Sequence, residues 1–165
     1  MNKITKAGLA RLIDHTLLKP GATPEDIARL CAEAGEYGFK TVCVNPCYVK
    51  TAARELAGTA TGVCAVVGFP LGANDPALKA AEAAAAVDMV LNVGFLKGRL
   101  LAEVRRDLAG VIRAARAERP GTVVKVILET CLLTAQEKVT ACQMAVEAGV
   151  DFVKTSTGFG GGGAT

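Results

Sequence analysis

The sequence has no tryptophan, a single histidine (His15), and aromatic residues at only 4% of its length. That scarcity speaks against a nucleic-acid surface, where stacking rings interleave with basic runs. The 19 lysines and arginines outnumber the 16 acids only slightly and are scattered along the chain. Such a small positive balance suits a small anionic substrate better than a polyanion. Six cysteines (Cys31, Cys43, Cys47, Cys64, Cys131, Cys142) form no CxxC pair and have no histidine cluster beside them. A zinc site therefore lacks a ligand set, and reduced, mostly buried thiols are expected. No apolar run reaches the roughly 18 residues of a membrane span. The opening stretch MNKITKAGLARLIDHT lacks the apolar core of a secretion signal. Nucleic acid and membrane are thus not expected partners, no zinc site is expected, and the cytosol is the expected compartment.

What is present is a 165-residue chain, 51% apolar and 21% charged, long enough to bury a single core. Short β-rich apolar runs alternate with longer alanine-rich stretches. The pattern predicts strands at 12–16, 41–45, 62–69, 87–93, 123–129 and 151–155. Helices are predicted between them at 24–37, 46–57, 77–86, 100–118 and 135–148, with a short one over 3–11. Thr23, Pro24, Glu25 and Asp26 read as a helix start: a cap, a proline at the first position and acids in the first turn. Thr134 and Glu137 have capping-box spacing, and Gly35, Gly38 and Gly149 stand where helices should end. Repeated β-α units imply parallel strands.

A (β/α)8 barrel and a doubly wound sheet both fit that alternation, and the placement of polar residues separates them. Side chains alternate along a strand. Asp14 pairs in parity with Thr16, Thr41 with Cys43 and Asn45, Asp88 with Asn92, and Lys125 with Glu129; Lys154 stands on the sixth strand. Polar groups gathered on one strand face toward the carboxyl ends fit a barrel interior. Under the helices of a doubly wound sheet they would be buried at large cost.

Lys154 stands in DFVKTSTGFGGGGAT, an apolar strand running into a glycine-rich loop. Desolvation or a neighbouring cation favours a neutral amine there, and a neutral amine attacks a carbonyl to form an imine. The plainer alternative is a lysine that reaches solvent or pairs with Asp88. Asp88, inside VDMVLNVG, fits a proton relay or a structural partner for a lysine. Lys125, in VVKVILET, fits a second cation beside Lys154, or an ion pair with Asp88 or Glu129. Thr155, Ser156, Thr157 and Gly158 offer hydroxyls and amides to a substrate oxygen or phosphate, or simply end the strand. Gly160–Gly163 lack the GK[ST] of a phosphate loop and fit an anion nest or a mobile lid.

Taken in order, IDHTLLKPGATPEDI, FKTVCVNPCYV, VVGFPLGAN, VDMVLNVGFLKG, VVKVILETCLLT and AGVDFVKTSTGFGGGGAT resemble the deoxyribose-phosphate aldolase family. The resemblance implies a metal-free, cofactor-free class I aldolase on a (β/α)8 TIM barrel. It implies a small phosphorylated sugar as substrate, with reversible cleavage of 2-deoxy-D-ribose 5-phosphate to acetaldehyde and D-glyceraldehyde 3-phosphate. Lys154 would carry the Schiff base and Asp88 would relay protons. Asp14, Thr16 and Cys43 would line the pocket, and Lys125 matches a family lysine inside the barrel. A homodimer or homotetramer is expected.

Two departures from the family pattern stand out. The sequence reaches Thr165 after six β/α units, whereas the family continues for two more, which carry a second lysine and the phosphate-binding residues. Only sixteen residues separate Pro70 from Val87, fewer than the family has, in the charge-poor segment DPALKAAEAAAA. A single barrel domain, truncated at the C-terminus and shortened around 75–87, is therefore expected, with strained geometry or a break between Asp75 and Val87. Two other readings compete with the aldolase: an inactive aldolase-like remnant serving as a binding or assembly subunit, and a transaldolase-like imine enzyme.

Overall fold

The computed structural model describes residues 4–83 and 86–164, which form two compact units divided between residues 65 and 66. The first begins with a five-residue helix, α1 (Lys6–Ala10), capped by the Thr5 hydroxyl. Strand β1 (Asp14–Leu17) leads to α2 (Pro24–Tyr37), then to β2 (Thr41–Val44), a 3-10 turn (Pro46–Tyr48), α3 (Val49–Glu55) and β3 (Gly62–Val67), in which the division falls. β1 pairs in parallel with β2, Asp14 opposite Thr41, and β2 pairs in parallel with β3, Cys43 opposite Cys64. Ile27, Leu30, Cys31 and Ala34 lie three and four residues apart, so α2 has one apolar stripe. It buries that stripe on Val42 and Val44 with Ala52 and Leu56 of the α3 segment.

The second unit contains α4 (Pro76–Glu82), β4 (Ala86–Val90), α5 (Val93–Lys97), α6 (Leu101–Glu118), β5 (Val124–Ile127), a 3-10 turn (Thr130–Leu132), α7 (Ala135–Ala148) and β6 (Phe152–Lys154). β4, β5 and β6 are parallel neighbours. Val87, Met89 and Leu91, with Val124, Val126 and Leu128, pack against Val104, Leu108, Val111 and Ile112 of α6 and Ala141 and Met144 of α7. The residues between them, Asp88 and Lys125, belong to the opposite face. Helices therefore cover one face of these strands and charge occupies the other, as the barrel reading requires.

The helix boundaries follow their caps. Thr23 with Asp26, and Thr134 with Glu137, form reciprocal capping boxes, and α2 and α7 end in left-handed glycines, Gly38 and Gly149. The predicted 46–57 helix is split by its 3-10 start. The predicted strand at 87–93 is corrected: it ends at Val90, because the Asn92 side chain accepts the Phe95 amide at 3.0 Å and starts α5. No strained geometry appears where it was expected from Asp75 to Ala83. Asp75 caps a regular α4, and residues 84–85, where the rest of that expectation falls, lie outside the described residues.

Lys79 is the least expected side chain of this unit. It stands in the alanine-rich segment yet is wholly buried. Its ammonium donates to Asp107 Oδ2 at 2.6 Å and to the Val90 carbonyl at 2.7 Å. Asp107 sits within the apolar stripe of α6, so the pair is the polar part of the α4–α6 contact. Burial pushes the Lys79 ammonium down and the Asp107 carboxyl up, each toward neutrality, and their mutual attraction opposes this.

Lys79→Met leaves a buried carboxylate uncompensated and is expected to cost about 3–5 kcal/mol. Lys79→Met combined with Asp107→Leu is expected to recover most of that in urea unfolding. A single variant as stable as the parent would show that the pair does not hold α4 to α6. The capping boxes make a separate prediction. The Thr134 backbone amide, which donates to Glu137, holds that carboxyl below its ordinary 4.5, and the Thr23 amide holds Asp26 below 3.8. For an acid with a depressed folded value, the stabilisation is present above the unfolded value and lost as pH falls through the folded one. Carboxyl NMR titration is expected to give midpoints below 4.5 and 3.8, and Thr134→Ala should return Glu137 toward 4.5.

Candidate active site

Three charged side chains meet on the face of β4, β5 and β6 opposite the helices. Asp88 is 1% exposed, and both of its oxygens are taken. Lys125 Nζ donates to Oδ1 at 3.1 Å, and Lys154 Nζ donates to Oδ2. Strand register explains the meeting. Asp88 lies opposite Lys125 across β4 and β5, Lys125 opposite Phe152 across β5 and β6, and Lys154 two residues further on the same side as Phe152. A buried carboxylate costs several kcal/mol unless it is paired, and here it has two cations.

Lys154 is not the desolvated lysine the sequence suggested. Its side chain is 34% exposed and that of Lys125 is 16% exposed; the lysine wholly out of water is Lys79. Pairing with Asp88 and partial exposure, the plainer alternative for Lys154, are both realised. Burial alone therefore does not favour a neutral amine at Lys154. A neighbouring cation, the other condition named for a neutral amine, is present, since Lys125 Nζ lies on the same carboxylate.

The segment after Lys154 is ordered by contacts with the end of β5. The Leu128 amide donates to the Lys154 carbonyl at 2.9 Å, and the Thr130 amide to the Thr155 carbonyl at 2.8 Å. The Thr157 amide donates to Glu129 Oε2 at 3.2 Å, and the Thr157 hydroxyl donates to the same oxygen. The Thr157 donors, read from the sequence as available to a substrate oxygen or as part of a strand-ending turn, are engaged by the buried Glu129 carboxylate. Ser156 Oγ is buried and has no hydrogen-bond partner. Thr155 is exposed, and Gly158 turns the chain with φ of 82°. The glycine run is not a free nest: a side chain at Gly160 would lie 3.0 Å from the Glu129 carboxyl carbon, and one at Gly162 would lie 2.7 Å from Cys131 Cβ.

In the first unit, the Thr41 hydroxyl donates to Asp14 Oδ1 at 2.6 Å and the Thr16 hydroxyl donates to the Asp14 carbonyl at 2.8 Å. Cys43 is buried on β2. Of the six cysteines, Cys31, Cys43 and Cys64 are buried, Cys142 is half-buried, and Cys47 and Cys131 are exposed. Three residues used in the parity reading, Asn45, Asn92 and Glu129, lie past their strands; the first precedes the 3-10 turn after β2, the second caps α5 and the third is left-handed with φ of 55°. Sequence reasoning gave Glu129 only the place of an inward polar group and an alternative ion-pair partner for Lys125. The signal was available as an acid ending the apolar run VVKVILET, the same feature that marks Lys154.

Comparison with known proteins gives a consistent result. No family model matches the chain. The chain is 53% identical to the deoxyribose-phosphate aldolase of Carboxydothermus hydrogenoformans, over 98% of its own length and 74% of that protein. A Coccidioides immitis structure assigned as a deoxyribose-phosphate aldolase superposes with a TM-score of 0.91 at 43% identity, covering 98% of this chain and 65% of that one. The tetrameric deoxyribose phosphate aldolase of Aeropyrum pernix superposes with a TM-score of 0.82 at 37% identity, covering 67% of its chain. The fold class is accordingly that of the α/β barrel aldolases. No helix among the described residues is long and apolar enough to cross a membrane.

Asp88→Asn is expected to lower stability by about 3 kcal/mol, since it removes the shared partner of two ammonium groups. Adding Lys125→Met should restore part of the loss. Denaturant unfolding of the two variants measures this; equal midpoints for parent and Asp88→Asn would show the triad to be electrostatically idle.

Proposed function

Because the chain belongs to the deoxyribose-phosphate aldolase family, we propose that it reversibly cleaves 2-deoxy-D-ribose 5-phosphate to acetaldehyde and D-glyceraldehyde 3-phosphate through an imine on Lys154. The observation that carries the assignment of residues is the shared carboxylate: Lys154 and Lys125 on the two oxygens of Asp88. Release of a proton from one of the two ammonium groups relieves their repulsion and leaves a nucleophilic amine.

The neutral Lys154 amine attacks the aldehyde carbon of the open-chain sugar and gives a carbinolamine. Asp88, in contact with that nitrogen, is placed to pass the proton that lets hydroxide leave as water. The resulting iminium accepts the electron pair of the C2–C3 bond as the C3 hydroxyl loses its proton. D-Glyceraldehyde 3-phosphate departs and an enamine remains on Lys154. Protonation at carbon and hydrolysis release acetaldehyde and return the amine. Ser156, with its unpartnered hydroxyl, together with Thr155 and Gly158, is our choice for contact with the rest of the sugar. The roles implied for Asp14, Thr16 and Cys43 rest on the family resemblance alone. We read the protein as a cytosolic homo-oligomer, a reading supported by its free thiols and by the tetrameric relative.

The test is borohydride reduction in the presence of acetaldehyde, followed by peptide mapping. The parent is expected to carry an ethyl group on the Lys154 peptide. Lys154→Arg, too basic to supply a neutral amine, is expected to carry none and to lose turnover by about four orders of magnitude or more, as when a covalent nucleophile is removed. An adduct on Lys125 with Lys154→Ala still active would overturn the assignment. A folded parent that traps nothing would favour the binding-subunit reading.

A further inference from the structure

Glu129 stands apart from the proposed chemistry, yet the structure holds it at some cost. It is 5% exposed, and no lysine or arginine pairs with it among the described residues. Its backbone is left-handed, φ 55° and ψ 63°, a conformation that costs a non-glycine residue about 1–3 kcal/mol and collects at functional sites. Its carboxylate is satisfied from the segment that follows Lys154. Oε2 accepts both the amide and the hydroxyl of Thr157, three residues beyond the lysine. Gly160 packs flush on the same carboxyl group, where a Cβ would lie 3.0 Å from its carbon. The main-chain bonds to Lys154 and Thr155 come from Leu128 and Thr130, the residues on either side of Glu129. The Glu129 side chain thus extends to Thr157 the ties that the backbone provides for 154 and 155.

We propose that Glu129 is a positioning residue: by holding Thr157 it fixes the path of the chain after Lys154, and with it the direction of the lysine amine and of Ser156. The inference rests on the imine reading of Lys154. A carboxylate rather than a hydroxyl suits the task because one charged oxygen takes two donors, and bonds to an ionised acceptor are the stronger ones. The left-handed turn is what directs that oxygen at Thr157 instead of letting the side chain follow the strand.

The substitution Glu129→Gln keeps an acceptor oxygen; Glu129→Ala keeps none. The rate of borohydride-trapped imine formation at saturating acetaldehyde is expected to fall about 10- to 100-fold in Glu129→Ala, the scale of a misplaced reacting group. It should stay within about threefold of the parent in Glu129→Gln, which retains the contact. Amide exchange at Thr157 should accelerate in Glu129→Ala and not in Glu129→Gln. Thr157→Val, which removes only the hydroxyl, covers the case in which Glu129→Ala fails to fold. It should slow trapping as well, and adding Glu129→Gln to it should slow trapping no further, because the two residues act through one contact. Unchanged trapping in Glu129→Ala, or an equal loss in Glu129→Ala and Glu129→Gln with Thr157 exchange unmoved, would overturn the proposal. A parent that forms no imine would overturn the aldolase reading instead, and the exchange measurement, which needs no turnover, would still decide whether Glu129 anchors Thr157.

Discussion

A single dry carboxylate sets the terms for the second unit. Asp88 lies on β4 with helices behind the strand and almost no water in front. An ionised acid in that position is tolerable only if cations arrive from neighbouring strands. Both β5 and β6 must therefore hold their register, since a one-residue slip in either would turn its lysine into the helix-packed core. The apolar residues that alternate with these charges, Met89 and Val126 among them, pin the register from the other side. Packing against α6 and α7 and pairing at Asp88 are two readings of the same alternation, and neither survives without the other.

The two buried acid–lysine contacts of this unit show why proximity of charges does not by itself make a reactive site. Lys79 spends its donors on Asp107 and on the carbonyl of Val90, with no exposed surface. Nothing can approach its nitrogen, and deprotonation would leave the carboxylate orphaned. Lys154 shares its acid with a second cation and keeps a third of its side chain open. A neighbouring cation and access are what the proposed carbonyl-attacking amine needs, and of these two lysines only Lys154 has both. On the proposed reading the same acid–base pairing is structural in one place and reactive in the other, and a neighbouring cation and exposure make the difference.

How much of this was legible in the sequence depends on the range of the interaction. The capping boxes of α2 and α7 are local, three residues wide, and both helices begin where those residues put them. Lys154, Asp88 and Lys125 were visible because a charge within an apolar β-run is conspicuous. Lys79 was not, since its segment reads as an amphipathic alanine helix and its partner, Asp107, is 28 residues away. Asn92 was misplaced because an apolar run conceals a helix cap: VLNVGF reads equally well as strand until the Asn92 side chain folds back on Phe95. Glu129 was read by strand parity, a rule that holds only while the backbone stays extended, and its left-handed φ breaks it. These misreadings share a cause, a side chain whose partner is set by tertiary approach or by a turn rather than by sequence periodicity.

Register and exposure also bear on which of the two lysines at Asp88 is the better nucleophile. Lys125 is opposite Asp88 in the middle of a ladder, flanked on both sides by paired strands and half as exposed as Lys154. A carbonyl approaching it would have to enter between β4 and β6. Lys154 is the last residue of β6, and the chain beyond it turns away through Ser156 and Gly158. Its side chain is the more exposed of the two lysines at the carboxylate, and the buried Ser156 hydroxyl two residues on has no protein partner. If the two lysines exchanged roles, the attacking amine would be the less exposed one, and the more exposed one would serve only as a charge. The proposed division, reaction at Lys154 and charge at Lys125, therefore rests on where each strand ends rather than on any difference in their chemistry.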